Sequence, residues 1–228
     1  MTESDRPPQS LVVSLAALTV VSGIVDAVSY LGLGHVFTAN MTGNVTLVGF
    51  GIAGAPGFSV GASLCALGFF LAGAVAGGRI FVRVPSHRSL LIVVIVIEAG
   101  LTVVAAIVAG TQADIANGWP RYILIALLAF GMGARNSAVR KVGVPDMTTT
   151  VLTTTLTGFA SESSLAGGHN PNVANRATSV LCMLGGALVG ALLLKNLHPG
   201  WALVTASAIL VLTVLYFSRE VPLELGTA

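Results

Sequence analysis

Two carboxylates stand where a lipid bilayer tolerates charge least. Glu98 lies in the middle of LLIVVIVIEAGLTVVAAIVAG, with no other ionisable residue in that stretch, and from there its short side chain cannot reach either interface. It must be protonated, hydrogen-bonded or paired. A protonatable Glu98 at that depth would suit proton coupling; the static alternative is an ion pair with Arg135 or Arg79. Asp26 falls about two-thirds along the first apolar stretch, where an ionised carboxylate costs several kcal/mol unless something compensates it. An Asp26 to Arg135 pair would satisfy both charges. Asp26 could equally cap a broken segment beside it or lock two helices together.

Two polar segments frame these carboxylates. Thr38-Ala39-Asn40-Met41-Thr42-Gly43-Asn44 reads as a helix start, because Thr and Asn are N-cap residues and glycine permits close backbone approach. A half-helix that begins inside the membrane aims free N–H groups and a positive dipole end at its surroundings, which would suit an anion or a polar neutral solute. The second segment, Thr148 to Thr157, holds seven threonines in ten residues. Their hydroxyls could line a path or bond back to carbonyls one turn earlier. Asn40, Thr42 and Asn44 from one segment, with Thr153 and Thr155 from the other, are the candidates for a lined pathway. His35, His87, His169 and His198 have no ligand spacing, so neither a metal nor a cofactor is expected. No G-x-S-x-G, H-E-x-x-H or Walker pattern occurs, and no enzyme is expected.

The elements that must position these groups are membrane helices. Of the 228 residues, 54% are apolar and only 9% charged, against about 25% charged in soluble domains. The formal charge of +2 carries no dense basic run, which excludes a nucleic-acid partner. Cys65 and Cys182 sit in apolar stretches and read as packing residues. Six windows suffice to cross a bilayer: 11 to 34, 58 to 82, 89 to 110, 119 to 139, 174 to 195 and 200 to 218. The polar segments, 36 to 54 and 146 to 163, are expected to enter and leave on one side. Residues 1–10 form a polar tail without the cleavage site of a removed signal peptide, and 219–228 form a second tail. With six crossings, Arg6, Arg79, Arg83, Arg88, Arg135, Arg140, Lys141, Arg176 and Arg219 lie in or toward the cytoplasm. That places both termini inside.

The chain also echoes itself. Gly23-Ile24-Val25-Asp26-Ala27 returns as Gly133-Ala134-Arg135-Asn136-Ser137, and Met41-Thr42-Gly43-Asn44-Val45 as Leu152-Thr153-Thr154-Thr155-Leu156. Cys65-x-Leu67-Gly68-x-x-x-x-Gly73 returns as Cys182-x-Leu184-Gly185-x-x-x-x-Gly190. These collinear matches divide the chain into repeats at 11–110 and 119–218. With three spans each, the copies would have inverted topology, the plan of many secondary transporters with a site near the midplane. Gly73-x-x-x-Gly77 and Gly186-x-x-x-Gly190 would let helices pack closely.

At GIVDAVSYLGLGHVFTANMTGN and FGMGARNSAVRKVGVPDMTTTVLTTTLTG the sequence resembles the YoaK-like family of small bacterial inner-membrane proteins, a domain of unknown function. The resemblance covers nearly the whole chain. Its most specific element is G-x-x-D-A followed by A-N-M-T-G-N, here Gly23, Asp26, Ala27 and Ala39 to Asn44. In the second half Asn136 fits the family's G-x-x-N-A, whereas Ser137 replaces alanine and Thr154 stands where glycine is usual. The resemblance implies six membrane helices in the bacterial inner membrane and no established activity.

The expected protein is therefore all-α and integral to the membrane, with six helices in two inverted three-helix repeats, each carrying a polar broken or re-entrant segment. It would act as a small-solute secondary transporter or permease by alternating access. Asp26, Asn40, Thr42, Asn44, Arg135, Asn136, Thr153 and Thr155 would surround the solute, with Glu98 or Asp26 carrying protons. A passive channel and a non-transporting scaffold or partner subunit are the rivals. The expected partners are the bilayer, a small polar or anionic solute, and a second copy of the chain in a homodimer.

Overall fold

The computed structural model describes residues 8–84, 86–143, 152–169 and 172–219. Six long helices carry the bundle: α1 (Gln9–Gly32), α3 (Val60–Arg83), α4 (His87–Thr111), α5 (Gly118–Val142), α7 (Val173–Asn196) and α8 (Pro199–Ser218). All six are long and apolar enough to cross a membrane, within a few residues of the windows expected from hydropathy. Two short helices, α2 (Met41–Ile52) and α6 (Leu152–Ser161), fall in the polar segments. The part of the second segment that holds Thr148 to Thr150 lies outside the described residues.

Helix ends follow local chemistry. The Ser59 and Ser86 side chains accept from Ala62 N–H and Ser89 N–H at the starts of α3 and α4, relieving first-turn donors that have no intrahelical partner. Pro199 opens α8, where its missing N–H costs nothing. Helix α5 stops at Gly143, whose φ of 67° is left-handed.

Short links between α3 and α4, α4 and α5, and α7 and α8 make each of those pairs antiparallel. The two pairs α1 with α7 and α3 with α5 instead run parallel, held by glycines against facing backbone. A Cβ on Gly23 would strike Met183 O and lie 2.6 Å from Ala187 N, and one on Gly186 would strike Val20 O. In the other pair a Cβ on Gly133 would strike Phe70 O, and one on Gly73 would strike Phe130 O. No side chain fits at these crossings. Without a hydrophobic drive between helices in lipid, such close packing is what binds them. It follows that α1, α4 and α7 run one way and α3, α5 and α8 the other.

These contacts give a different register from one of the sequence matches. The Cys65 to Cys182 match sets α3 and α7 117 residues apart. By contact, Gly73 over Phe130 corresponds to Gly186 over Val20, and Gly77 over Ala134 O to Gly190 over Ile24 O, a spacing of 113. The difference is four residues, about one helical turn. Of the glycines in that match, Gly68 and Gly185 have nothing within 4 Å, whereas Gly73 and Gly190 both meet a neighbouring helix.

The segment between α1 and α3 enters and leaves at one end of the bundle. His35 Nδ1 lies 3.2 Å from Gly57 O, joining its two ends. The chain after α1 turns back so that Ala39 reaches Asp26 of α1, and α2 then packs along α3. On the opposite side α6 packs on α7, where Arg176 donates to Gly158 O at 2.6 Å and pairs with Glu162 at 2.7 Å.

Candidate functional site

A cavity of about 810 Å³ lies where the two short helices begin. Asp26 and Tyr30 of α1, the first turn of α2 with Asn40 and Thr42, Asn136 of α5, and Leu152 and Thr153 at the start of α6 line it, with Met183, Ala187 and Ala191 of α7 closing one wall. That size is ordinary for a small-molecule site. Asp26, Asn40, Thr42, Asn136 and Thr153 are thus brought together from both halves of the sequence. A smaller cavity of about 400 Å³ shares Leu31 and Ala191 with it and reaches Asp114 and Lys195 at the Gly32 end of the bundle.

Local hydrogen bonds hold the inward loop. Asp26 Oδ1 accepts from Ala39 N–H at 3.2 Å, so α1 clamps the chain just before α2. Asn40 caps α2 by accepting from Gly43 N–H. Asn44 is fully buried and does not line the cavity; it accepts from Phe37 N–H at 3.0 Å and donates to Phe37 O at 2.6 Å. It staples α2 to the incoming strand of chain. Thr155 is also buried, away from the cavity lining, and its hydroxyl has no hydrogen-bond partner among the described residues. Asn44 and Thr155 are therefore supports behind the site.

Arg135 pairs with Glu98. Its Nη1 lies 3.1 Å from Glu98 Oε1, with both side chains buried between α4 and α5. The approach is a charge contact without directed hydrogen-bond geometry, and neither Glu98 oxygen has a hydrogen-bond partner among the described residues. Arg135 donates to Leu18 O at 3.1 Å and Ser22 Oγ at 2.5 Å on α1, and its Nη2 lies 2.7 Å from Met132 Sδ on its own helix. The expected Asp26 to Arg135 ion pair does not form. Arg135 points toward α1 one turn before Asp26, into the carbonyl and hydroxyl left by Leu18 and Ser22, while Asp26 is turned to the Ala39 backbone. Arg135 and Glu98 both stand outside the cavity lining.

Several participants carried no sequence signal. Ser22 is one of several hydroxyl residues in α1, most of which bond back to their own helix as Thr19 does to Leu15 O. Tyr30, Phe37 and Phe70 look like ordinary membrane aromatics until the fold turns them onto the cavity. Arg121 donates to Gly34 O at 3.1 Å and anchors the end of α1. Among the described residues no three His, Cys, Asp or Glu side chains cluster as metal ligands.

Comparison with known proteins gives kinship without an activity. The chain is 35% identical over 152 residues to the UPF0700 transmembrane protein YoaK of Bacillus subtilis (strain 168), a stretch that spans 66% of each protein. No solved structure matches it. The apolar helices and this relative together establish a multi-pass membrane protein. A family model described as a protein of unknown function, DUF1275, matches residues 14–216, and the chain belongs to that family.

Proposed function

We propose that this chain is a small-solute secondary transporter whose two halves are inverted repeats about the cavity. One observation carries the reading: a single cavity touches the first turns of both short helices together with Asp26 and Asn136, a residue pair related by the repeat. Helix pairing supports the inversion, because α1 against α7 and α5 against α3 use equivalent glycines in the same parallel sense. Half-helices that start at a midplane site are the arrangement from which rocking of one repeat against the other gives alternating access.

The charged helix ends support an orientation. Arg83, Arg88, Arg140, Lys141 and Arg219 gather at the Gln9 end, against Arg121 and Lys195 at the other. Both termini then face the cytoplasm of a bacterial inner membrane, and the cavity reaches outward through Leu31 and Ala191. Asp26 lines the cavity and Glu98 does not, so proton coupling in this scheme uses Asp26.

The test is single-cysteine labelling at Thr42 and Thr153, with Cys65 and Cys182 replaced, using a membrane-impermeant thiol reagent applied from either side. Labelling of both positions from outside, through the cavity they share, is the expected result, and labelling from the cytoplasm as well is expected as the repeats rock. If neither position labels in a normally inserted protein, the cavity is dry and a packed scaffold replaces the transporter.

A further inference from the structure

The buried charges of the bundle balance in number but not in pairing, and the unpaired one sits on the cavity. Among the described residues Asp26, Glu98, Arg135 and Arg176 are the buried charged side chains. Arg176 pairs with Glu162. Arg135 pairs with Glu98 and also contacts Leu18 O, Ser22 Oγ and Met132 Sδ. That leaves Asp26, which is 6% exposed and forms no ion pair among the described residues. Taken together, Asp26, Glu98 and Arg135 carry one net negative charge when ionised, in a medium where an uncompensated carboxylate costs several kcal/mol.

The walls above Asp26 suit a particular counter-charge. Tyr30 and Phe37 stack with ring centroids 4.7 Å apart and both line the cavity, as do Phe70 and Met183. Aromatic faces attract a cation more strongly when it is desolvated, and quaternary ammonium groups are bound in this way. Asp26 is the only charged residue among the described residues that line the cavity. A small anion would meet the helix starts but would have to sit beside this carboxylate. Asn40 and Asp26 already take the N–H groups of Gly43 and Ala39 there.

We propose that the cavity binds an organic cation, a quaternary or amine-like centre with an apolar body, with Asp26 as its counter-ion and Tyr30, Phe37 and Phe70 as its walls. The inference names the solute of the transport reading above and rests on the same cavity. It replaces the anionic solute anticipated from the half-helix alone.

Equilibrium dialysis of the full chain in detergent tests it with two probes of the same shape and opposite charge, tetraphenylphosphonium and tetraphenylborate. Saturable binding of the phosphonium, at least about tenfold tighter than of the borate, is expected. Asp26→Asn keeps an acceptor for Ala39 N–H and is expected to lose about tenfold or more of the phosphonium affinity. Asp26→Glu should retain it, and Ala191→Trp, which fills the cavity mouth, should weaken both probes. Equal or tighter borate binding by the unmodified chain overturns the proposal without reference to any variant, and so does unchanged affinity in Asp26→Asn. Labelling at Thr42 and Thr153 without phosphonium binding would remove the cation and leave the transporter. Phosphonium binding without transmembrane flux would do the reverse.

Discussion

Replacing Gly133 by alanine tests the construction of the bundle at one atom. The new Cβ would coincide with the space of Phe70 O and lie 3.0 Å from Ala74 N, so α3 and α5 must move apart where they cross. Overpacking of this kind costs about 1–3 kcal/mol. The contact is with backbone, which cannot rotate away, and that favours the upper part of the range. Alanine also returns up to about 1 kcal/mol of helix propensity relative to glycine. Gly68→Ala in α3 isolates that second term, because nothing lies within 4 Å of its Cβ. The difference between the two variants therefore reports the crossing alone, and Gly133→Ala is expected to unfold about 1–3 kcal/mol more easily than Gly68→Ala. Gly23→Ala, at the equivalent place on α1, should cost a similar amount. Combining Gly133→Ala with Gly73→Ala, its neighbour at the same crossing, should cost less than the sum. Gly133→Ala with Gly186→Ala, at separate crossings, should be additive. SDS-induced unfolding of the purified protein in micelles, followed by circular dichroism, measures all of these. If Gly133→Ala were as stable as Gly68→Ala, the helices would not meet at these glycines and the pairing would be wrong.

Glu98→Gln leaves the fully buried Arg135 without its counter-charge, and a loss of about 3–5 kcal/mol is expected; the joint change Glu98→Leu with Arg135→Met should recover much of it in the same unfolding assay. Asn44→Ala strips both bonds from the Phe37 backbone, at about 1–3 kcal/mol for the groups left unsatisfied, and hydrogen exchange should rise at residues 33–45 while α4 and α8 stay protected. Asp26→Asn should abolish proton-driven uptake in proteoliposomes, and uptake that persists with its pH dependence intact would remove Asp26 from the coupling. In the loop between α4 and α5, the Asn117 amide and Ala116 N–H hold the Asp114 carboxyl below its usual range. Its contribution to loop order is thus full above the ordinary carboxylate range and is lost as pH falls through that lowered value; amide exchange at Ala116 and Asn117 should show this, and Asp114→Asn should remove it.

The sequence alone determined which stretches are membrane helices, since about twenty consecutive apolar residues have no other stable home. It also flagged Asp26, Asn40, Thr42, Asn136 and Thr153, because polar groups are conspicuous against an apolar background, and local spacing announced the Asn40 cap. Tertiary structure decided the partnerships. Whether Arg135 meets Asp26 or Glu98 depends on which face of α5 turns toward α1 and which toward α4, and residue order along the chain does not carry that. Between α3 and α7 the sequence match and the glycine contacts differ by four residues, a difference of about one helical turn that residue types do not resolve. Asn44 and Thr155 look like lining residues until packing turns them inward, and Tyr30, Phe37 and Phe70 look like lipid-facing aromatics until the inward loop closes over them. In a bilayer apolar side chains meet much the same surroundings against lipid as against protein, so hydropathy marks the helices but says little about their faces; the fit of backbone against glycine sets those.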